Sequence, residues 1–536
     1  MAERQCDVIV IGAGHNALTS AAYLARAGLA VTVLEARERI GGGTQTEELT
    51  VPGFRHDTFS TGHPFLASNP LFSGDELGLL ANGLAYVGND PMLVVPFPDG
   101  ESVTLWCDHE RTAAEFAHFS KRDGEAWRAF LAGWKHMRAE HFARLTSAPA
   151  DMAHHTGGPW EAAYLAIRDR SGIEAVCDMF ESDHVRAAML WFGMVMVQPI
   201  DRPGTGIMPL AVPAEWVRGS INPIGGSVRL AEGLADVVRG HGGAIVTGQR
   251  VTRIITDNGR AAGVRTADGT VWRAARAVVS SMHFTALPGT LPGALPSSFI
   301  ERTRSWRAGP SLLVVHLALG ENTRARTRDG AVGAVLTGQS SVGGVTRNLA
   351  DVAAGRLTTD APWMFSACST WIDPSRAPDG KAVVKVIGMV PYALDGDAAN
   401  WDHAKEAHAD LLLDQYSRLV VNYRPGDELG RSVFSPADIE RTNPGFWRGG
   451  PQGGDFLPDQ MGPNRPVPGS ADYRLPVAGL YQTGGSTHPG GTVSGWPGRH
   501  AARAVLDDLQ IDWRSVMPGA GDAGGPDIPV IDTSRL

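Results

Sequence analysis

Cysteine is scarce in this chain of 536 residues: Cys6, Cys107, Cys177 and Cys368 lie far apart, with no CxxC pair. That spacing excludes a disulfide scaffold and a thiolate metal site, and predicts unpaired, mostly buried thiols in a reducing compartment. A basic surplus is missing as well. The 57 Asp+Glu outnumber the 48 Lys+Arg, for a formal charge of −9, which argues against a nucleic-acid protein, whose binding face is normally basic. Long apolar runs are absent. The longest, Ala187–Val197, falls well short of the ~20 residues that cross a bilayer. Met1–Asp7 shows none of the charged, apolar and small-residue regions of a signal peptide. These absences predict a soluble, cytoplasmic protein without a transmembrane segment. They leave peripheral membrane contact open.

What is present is ordinary globular material: 43% hydrophobic and 20% charged residues, enough for two to four structural units at roughly 150 residues each. The strongest signal comes at the start. Asp7–Ile11 is a β-branched run of the kind buried on both faces of a parallel sheet. It leads into Gly12-Ala13-Gly14-His15-Asn16-Ala17, which fits GxGxxG/A. Leu18, Ala21, Ala22, Leu24 and Ala25 then recur at helical spacing, Gly28 stops the helix, and Ala30–Leu34 reads as a second parallel strand ending at Glu35.

Each position has a physical reason. Gly12 permits the tight turn, Gly14 lets backbone approach a pyrophosphate, and Ala17 keeps helix close to strand. The helix N-terminus offers unpaired N–H groups to phosphate, and Glu35 stands where an acid takes ribose hydroxyls. No second GxGxxG with this context occurs, since Gly225–Ser227 and Gly330–Gly333 lack the following acid. A freely diffusing nicotinamide nucleotide is therefore not expected.

Two further segments complete the pattern. Val228, Ala231, Leu234, Ala235 and Val238 share one helical face, and Ala244–Thr247 reads as a strand. Val251–Thr256, Ala261–Val264 and Thr270–Trp272 form a β-meander turned at Asn258-Gly259 and Asp268-Gly269, followed by Ala277–Ser281 as a separate buried strand. Near the C-terminus, Gly479–Thr483 runs into Gly484-Gly485-Ser486-Thr487-His488-Pro489-Gly490-Gly491-Thr492-Val493. Pro497 and Gly498 then open an alanine-rich helix. A strand ending in small residues before a helix N-terminus presents backbone N–H groups to polar ligand atoms.

The continuation Glu35-Ala36-Arg37-Glu38-Arg39-Ile40-Gly41-Gly42-Gly43-Thr44, taken with these segments, resembles the phytoene desaturase-like FAD-dependent oxidoreductases, including the pyridine nucleotide-disulfide oxidoreductase domain protein 2 group. Matching features also include Thr46–Leu49, Pro52–Phe54 and His63-Pro64. The resemblance implies an α/β protein: a Rossmann-type FAD-binding domain of the two-dinucleotide-binding-domain kind, with a discontinuous α+β substrate domain. The FAD domain is expected from 1–74, 220–286 and 479–512, the substrate domain from 75–219 and 287–478, and an irregular tail from 513–536. FAD, not NAD, is the implied cofactor. Arg39 is implied to neutralise phosphate, Gly41–Gly43 to follow the pyrophosphate, and Val251 to meet the adenine. Gly484, Gly485, Ser486, Thr492 and Val493 would face the flavin end. Amine oxidases are similar in architecture but usually carry an acid where Ser486 stands and a lysine near flavin N5. This chain has only five lysines (Lys121, Lys135, Lys381, Lys385, Lys405), and none lies in the C-terminal flavin segment.

The expected reaction is dehydrogenation (desaturation) of a hydrophobic or aromatic small molecule, with hydride passing to flavin N5 and with oxygen or a quinone as electron acceptor. Redox-neutral isomerisation, amine oxidation and a non-catalytic FAD-binding interaction protein are the alternatives. Trp191, Trp216, Trp363, Trp371, Trp447 and Trp496 are candidates to line an apolar cavity or to pack the core. Met189, Trp191, Phe192, Met194 and Met196 belong to a buried helix or to a docking patch. His63 and His488 are candidate acid–base residues, because imidazole titrates near neutrality; orienting backbone or cofactor is their other reading. His154-His155 and Asp183-His184 lack metal-ligand spacing, so no metal is inferred. The assembly is expected to be a monomer or a homodimer.

Overall fold

The computed structural model describes residues 4–152, 157–330, 333–338, 341–519 and 527–535; the His154-His155 pair lies outside them. Two seven-stranded sheets organise the chain. In the first, strand Arg4–Ile11 lies between Val31–Leu34 and Val271–Ser280, parallel to both, with Ala244–Val246 beyond Val31–Leu34. The meander strands Val251–Asp257 and Arg260–Thr266 extend the other side, and Leu480–Gln482 pairs in parallel with Val278–Ser280. The apolar run at Val8–Ile11 is buried on both faces, as a central parallel strand requires.

Helices His15–Arg26, Val228–Gly240 and Trp496–Asp508 cover this sheet. The first and last pack so closely that Ser20 Oγ donates to the Gly498 carbonyl at 2.8 Å. A Cβ on Gly498 would lie 2.3 Å from the Asn16 carbonyl oxygen. Asn258 and Gly259 both have positive φ (49° and 77°), the type I′ geometry that an Asn-Gly hairpin turn adopts.

The second sheet runs Gly430–Phe434, Ser311–Leu319, Ala382–Val390, Met364–Cys368, Val335–Thr337, Leu93–Pro96 and Ser102–Leu105. Its central strand Ala382–Val390 is buried throughout. Helices Asp183–Met194 and Trp401–Leu419 lie in the cores that flank it.

Three expectations change, and one open alternative is decided. Thr270–Trp272 and Ala277–Ser281 are not separate strands: Val271–Ser280 is one ten-residue strand, because Arg273 pairs with Gly263 while Ala274 already pairs with Cys6. The tail is not wholly irregular, since Val530–Asp532 adds a strand parallel to Gly88–Asp90. All four cysteines are free, but only Cys368 is buried and the other three are half-buried. Met189, Trp191, Phe192 and Met194 are at most 2% exposed, so this stretch is a core helix and not a docking patch. Among the described residues no helix is long and apolar enough to cross a membrane.

Candidate active site

The turn between Ile11 and His15, the loop after Leu34 and the loop after Gln482 meet at the C-terminal ends of the parallel strands, the place where open α/β sheets bind ligands. Together they border one cavity of about 630 Å³ that continues between the two large sheets. At its nucleotide end, Gly12, Gly14, His15, Asn16 and Ala17 line the wall. Glu35, Ala36, Arg37, Gly42, Gly43 and Val251 line it opposite, and Gly484, Gly485, Thr492 and Val493 close it. Residues from Gly12–Gly43, Val251 and Gly484–Val493 thus border the same space.

Loop closure depends on missing side chains. Gly42 has φ +58°, and a Cβ there would stand 2.8 Å from the Gly14 Cα. Glu35 is held rigidly: Oε2 accepts from the Ala13 N–H at 2.6 Å and Oε1 from the Arg37 N–H at 2.9 Å.

Four of the expected residues do not line the cavity. Arg39 turns outward, its side chain 66% exposed and paired with Glu47 at 2.9 Å, because the loop directs Arg37 inward instead. Gly41 lies behind Gly42 and bridges backbone to Gly14. Thr44 is fully buried, with Oγ1 donating to the Gly41 carbonyl. Ser486 turns its hydroxyl to the Phe284 N–H at 3.3 Å. The last three shape the loops from behind.

The acid–base candidates also fall outside the lining. His63 is fully buried, with Nδ1 2.9 Å from the Tyr86 hydroxyl and Nε2 2.7 Å from Ser227 Oγ. Burial holds its pKa down at about 3, with His15 adding to the effect. His488 accepts at Nδ1 from the Gly462 N–H at 3.2 Å, and burial likewise lowers it to about 3. Both are neutral supports of the surrounding loops. Imidazole's near-neutral titration made them acid–base candidates; their side chains point into packing.

Several contributors had no local signal. Arg465 is fully buried and spends its guanidinium on backbone. Nη2 donates to Gln452 and Gly485 carbonyls at 2.7 Å, Nη1 to Asp455 at 3.0 Å, and Nε to Thr487 at 3.3 Å. It fastens the C-terminal glycine loop. His283 lines the cavity between Thr285 Oγ1 (2.7 Å) and the Gly453 carbonyl (3.2 Å).

Beyond the loops the cavity becomes an apolar chamber walled by Phe65, Trp191, Trp216, Leu312, Phe365 and Ile387. Trp191 meets Trp216 and Phe365 edge-on, at centroid distances of 6.2 and 5.9 Å. Of the six candidate tryptophans only these two line it. Trp363 is core, Trp371 donates to the Thr323 carbonyl, Trp447 stacks on His283 and Trp496 on His500. Among the described residues no group of three metal-ligating side chains comes together.

The nucleotide end fits a dinucleotide on its own chemistry. Buried His15 Nε2, Asn16 Oδ1, Gln249 Oε1 and Gln452 Oε1 have no protein partner, and all four residues line the cavity. Buried polar atoms are rarely left unpaired, and here they border a ligand-sized space.

The comparisons agree with this geometry. The family described as flavin containing amine oxidoreductase matches residues 18–506. A limonene dehydrogenase polypeptide of Castellaniella defragrans is 30% identical, over 95% of this chain and 96% of its own. Mouse pyridine nucleotide-disulfide oxidoreductase domain-containing protein 2 is 29% identical, over 94% of each. Among solved structures, cyclohexylamine oxidase from Brevibacterium oxydans IH-35A covers 94% of this chain and 99% of its own, with a TM-score of 0.56 and 19% identity, a likeness of fold alone. The glycine loops, the unpartnered polar atoms around them and a match along nearly the whole chain lead to one conclusion: this protein belongs to the flavin-containing amine oxidoreductase family, and its cofactor is FAD.

Proposed function

We propose that the protein dehydrogenates a hydrophobic small molecule, taking hydride and a proton from adjacent atoms and passing the electrons on to oxygen or a quinone. The observation that carries this reading is continuity: the FAD cleft and the aromatic chamber are one cavity. Bound FAD supplies the hydride acceptor, at N5 of its ring. The chain supplies position and dryness. The N-terminus of helix His15–Arg26 and Arg37 hold phosphate, Glu35 takes ribose hydroxyls, and Arg465 fixes the loop at the flavin end. Trp191, Trp216 and Phe365 exclude water from the chamber. The relative named as a limonene dehydrogenase supports oxidation of an apolar molecule. Placement in the cytoplasm belongs to the same proposal, supported by four cysteines that form no disulfide.

Anaerobic titration of the flavoprotein with candidate substrates tests it. A dehydrogenase bleaches the oxidised flavin band in proportion to substrate. An isomerase acts only after separate reduction and ends with no net electron transfer, and a binding module does neither. Bleaching by primary amines alone would return the amine oxidase reading.

Glu35 offers a second check. Its carboxylate makes charge-assisted hydrogen bonds worth about 1.5–3 kcal/mol each. Glu35→Ala is therefore expected to weaken FAD retention by about tenfold or more, measured as flavin per protein after exhaustive dialysis. Full occupancy would remove Glu35 from the ribose.

A further inference from the structure

The chamber holds one more polar feature, which bears on what it accepts. Four charged residues line the cavity among the described residues: Glu35, Arg37 and Arg250 at the nucleotide end, and Lys385 at the apolar end. Lys385 enters from the buried strand Ala382–Val390 and is 4% exposed. An ammonium group carries three N–H donors. Two are used, on the Phe59 carbonyl at 2.6 Å and Thr61 Oγ1 at 2.8 Å, and both acceptor residues also line the cavity.

The surroundings of Lys385 do not cancel its charge. Asp57 is the carboxylate that acts on it, and Asp57 is already 2.9 Å from Arg376, in an ion pair whose side chains are 1% and 2% exposed. His316 stands opposite Lys385 on the neighbouring strand, with the edge of His56 packed on it at 5.4 Å. Burial keeps both imidazoles neutral. Two buried cations thus share one anion, and a buried surplus of positive charge is costly until something negative or strongly accepting reaches it. Among the described residues no carboxylate lines the chamber end to receive an ammonium substrate.

From this we propose that the substrate is an apolar molecule carrying an acceptor oxygen, carboxylate or carbonyl, which takes the third N–H of Lys385, and that cationic amines are rejected. The proposal rests on the dehydrogenase reading of the same cavity and names its substrate class. Pockets of this kind are mostly apolar with few polar groups that set orientation, and Lys385 is placed to be one.

The test is binding to the FAD-loaded protein, read as a shift of the flavin absorption band, with four molecules of one shape: phenylacetate, phenylacetone, phenethylamine and propylbenzene. Phenylacetate, phenylacetone or both are expected to bind about tenfold or more tighter than propylbenzene, and phenethylamine weakest. Carboxylate preference alone identifies an anionic group, and ketone preference alone a carbonyl. In Lys385→Met the oxygen-bearing probes should fall to the propylbenzene level, while Lys385→Arg retains the order. If Lys385→Met does not fold, the wild type still decides. Burial lowers the Lys385 pKa to about 8, so phenylacetate affinity should decline as pH rises through 8 while propylbenzene affinity stays level. Phenethylamine binding as well as phenylacetate, an unchanged series in Lys385→Met, or no oxygen preference at all would overturn the proposal. Because binding is read without turnover, failure of the dehydrogenase reading shows separately, as normal binding with no bleaching by any substrate.

Discussion

Gly42→Ala is expected to yield folded protein that carries almost no flavin. Gly42 sits at φ +58°, and its added Cβ would lie 2.8 Å from the Gly14 Cα, with the Gly14 N 3.6 Å away. Both neighbours are backbone, so no rotamer change relieves the contact. Left-handed backbone costs a non-glycine residue about 1–2 kcal/mol, and overpacking adds about 1–3. The relief available is to push the Gly12–Ala17 turn away from the Gly41–Gly43 loop. That separates the two walls that would hold the pyrophosphate between them. With that strain on the cleft, FAD affinity drops by roughly 30-fold or more.

Gly28→Ala is the control. Gly28 also has positive φ, +85°, but a Cβ there meets nothing within 4 Å. It should lose about 1–2 kcal/mol of stability and keep its flavin. Flavin-to-protein absorbance after desalting, with a thermal melt of each variant, checks both statements. Full flavin in Gly42→Ala would show that the two loops do not need this approach.

The second large effect concerns charge beneath the chamber. Asp57 Oδ1 accepts from Thr46 Oγ1 at 2.7 Å and from the Ser227 N–H at 2.8 Å, and lies 2.9 Å from Arg376 Nη2. Asp57→Asn keeps the shape but leaves Arg376 and Lys385 buried without a counter-ion. Breaking a buried pair in this way costs about 3–5 kcal/mol, a large part of the 5–15 kcal/mol that holds a typical domain together. Arg376→Met should cost less, because Asp57 still balances Lys385.

The pH dependence has a definite sign. Burial by itself would raise the Asp57 pKa, but Arg376 and then Lys385 outweigh it and hold the carboxyl below its ordinary range. A carboxylate lower in the folded than in the unfolded state contributes fully above the unfolded value near about 4. That contribution is lost as pH falls through the folded value. The resistance of wild type to urea should therefore fall on acidification, and Asp57→Asn should show a shallower acid limb from a lower starting stability. Equal stability of Asp57→Asn and wild type at pH 7 would refute the shared-anion description.

The nucleotide end was legible because its chemistry is local. A positive-φ glycine, a small residue where helix meets strand and an acid at the end of the second strand are each required by geometry within a few residues. Gly12, Gly14, Ala17 and Glu35 all line the cavity. The errors arose where orientation mattered more than position. Arg37 and Arg39 are two residues apart in one loop, yet only Arg37 faces inward. His63 and His488 adjoin lining residues or loops, but Tyr86, Ser227 and Gly462 draw their imidazoles away. The meander was split in two because Arg273 and Arg276 interrupt the apolar run. In the sheet Arg273 is half-buried and Arg276 exposed along one continuous strand, so neither charge is fully desolvated.

By its sequence alone this chain specifies a strand–turn–helix nucleotide fingerprint, a hairpin turned at Asn258-Gly259 and an aromatic supply suited to an apolar pocket, since turn geometry and periodicity are written in neighbouring residues. Only the tertiary structure decides which two tryptophans wall the chamber, which arginine ties down the glycine loop, and that Asp57, Arg376 and Lys385 share one buried cluster. Those three residues are separated by as many as 328 positions in the chain, and buried charge is governed by distance in space, which no local pattern encodes.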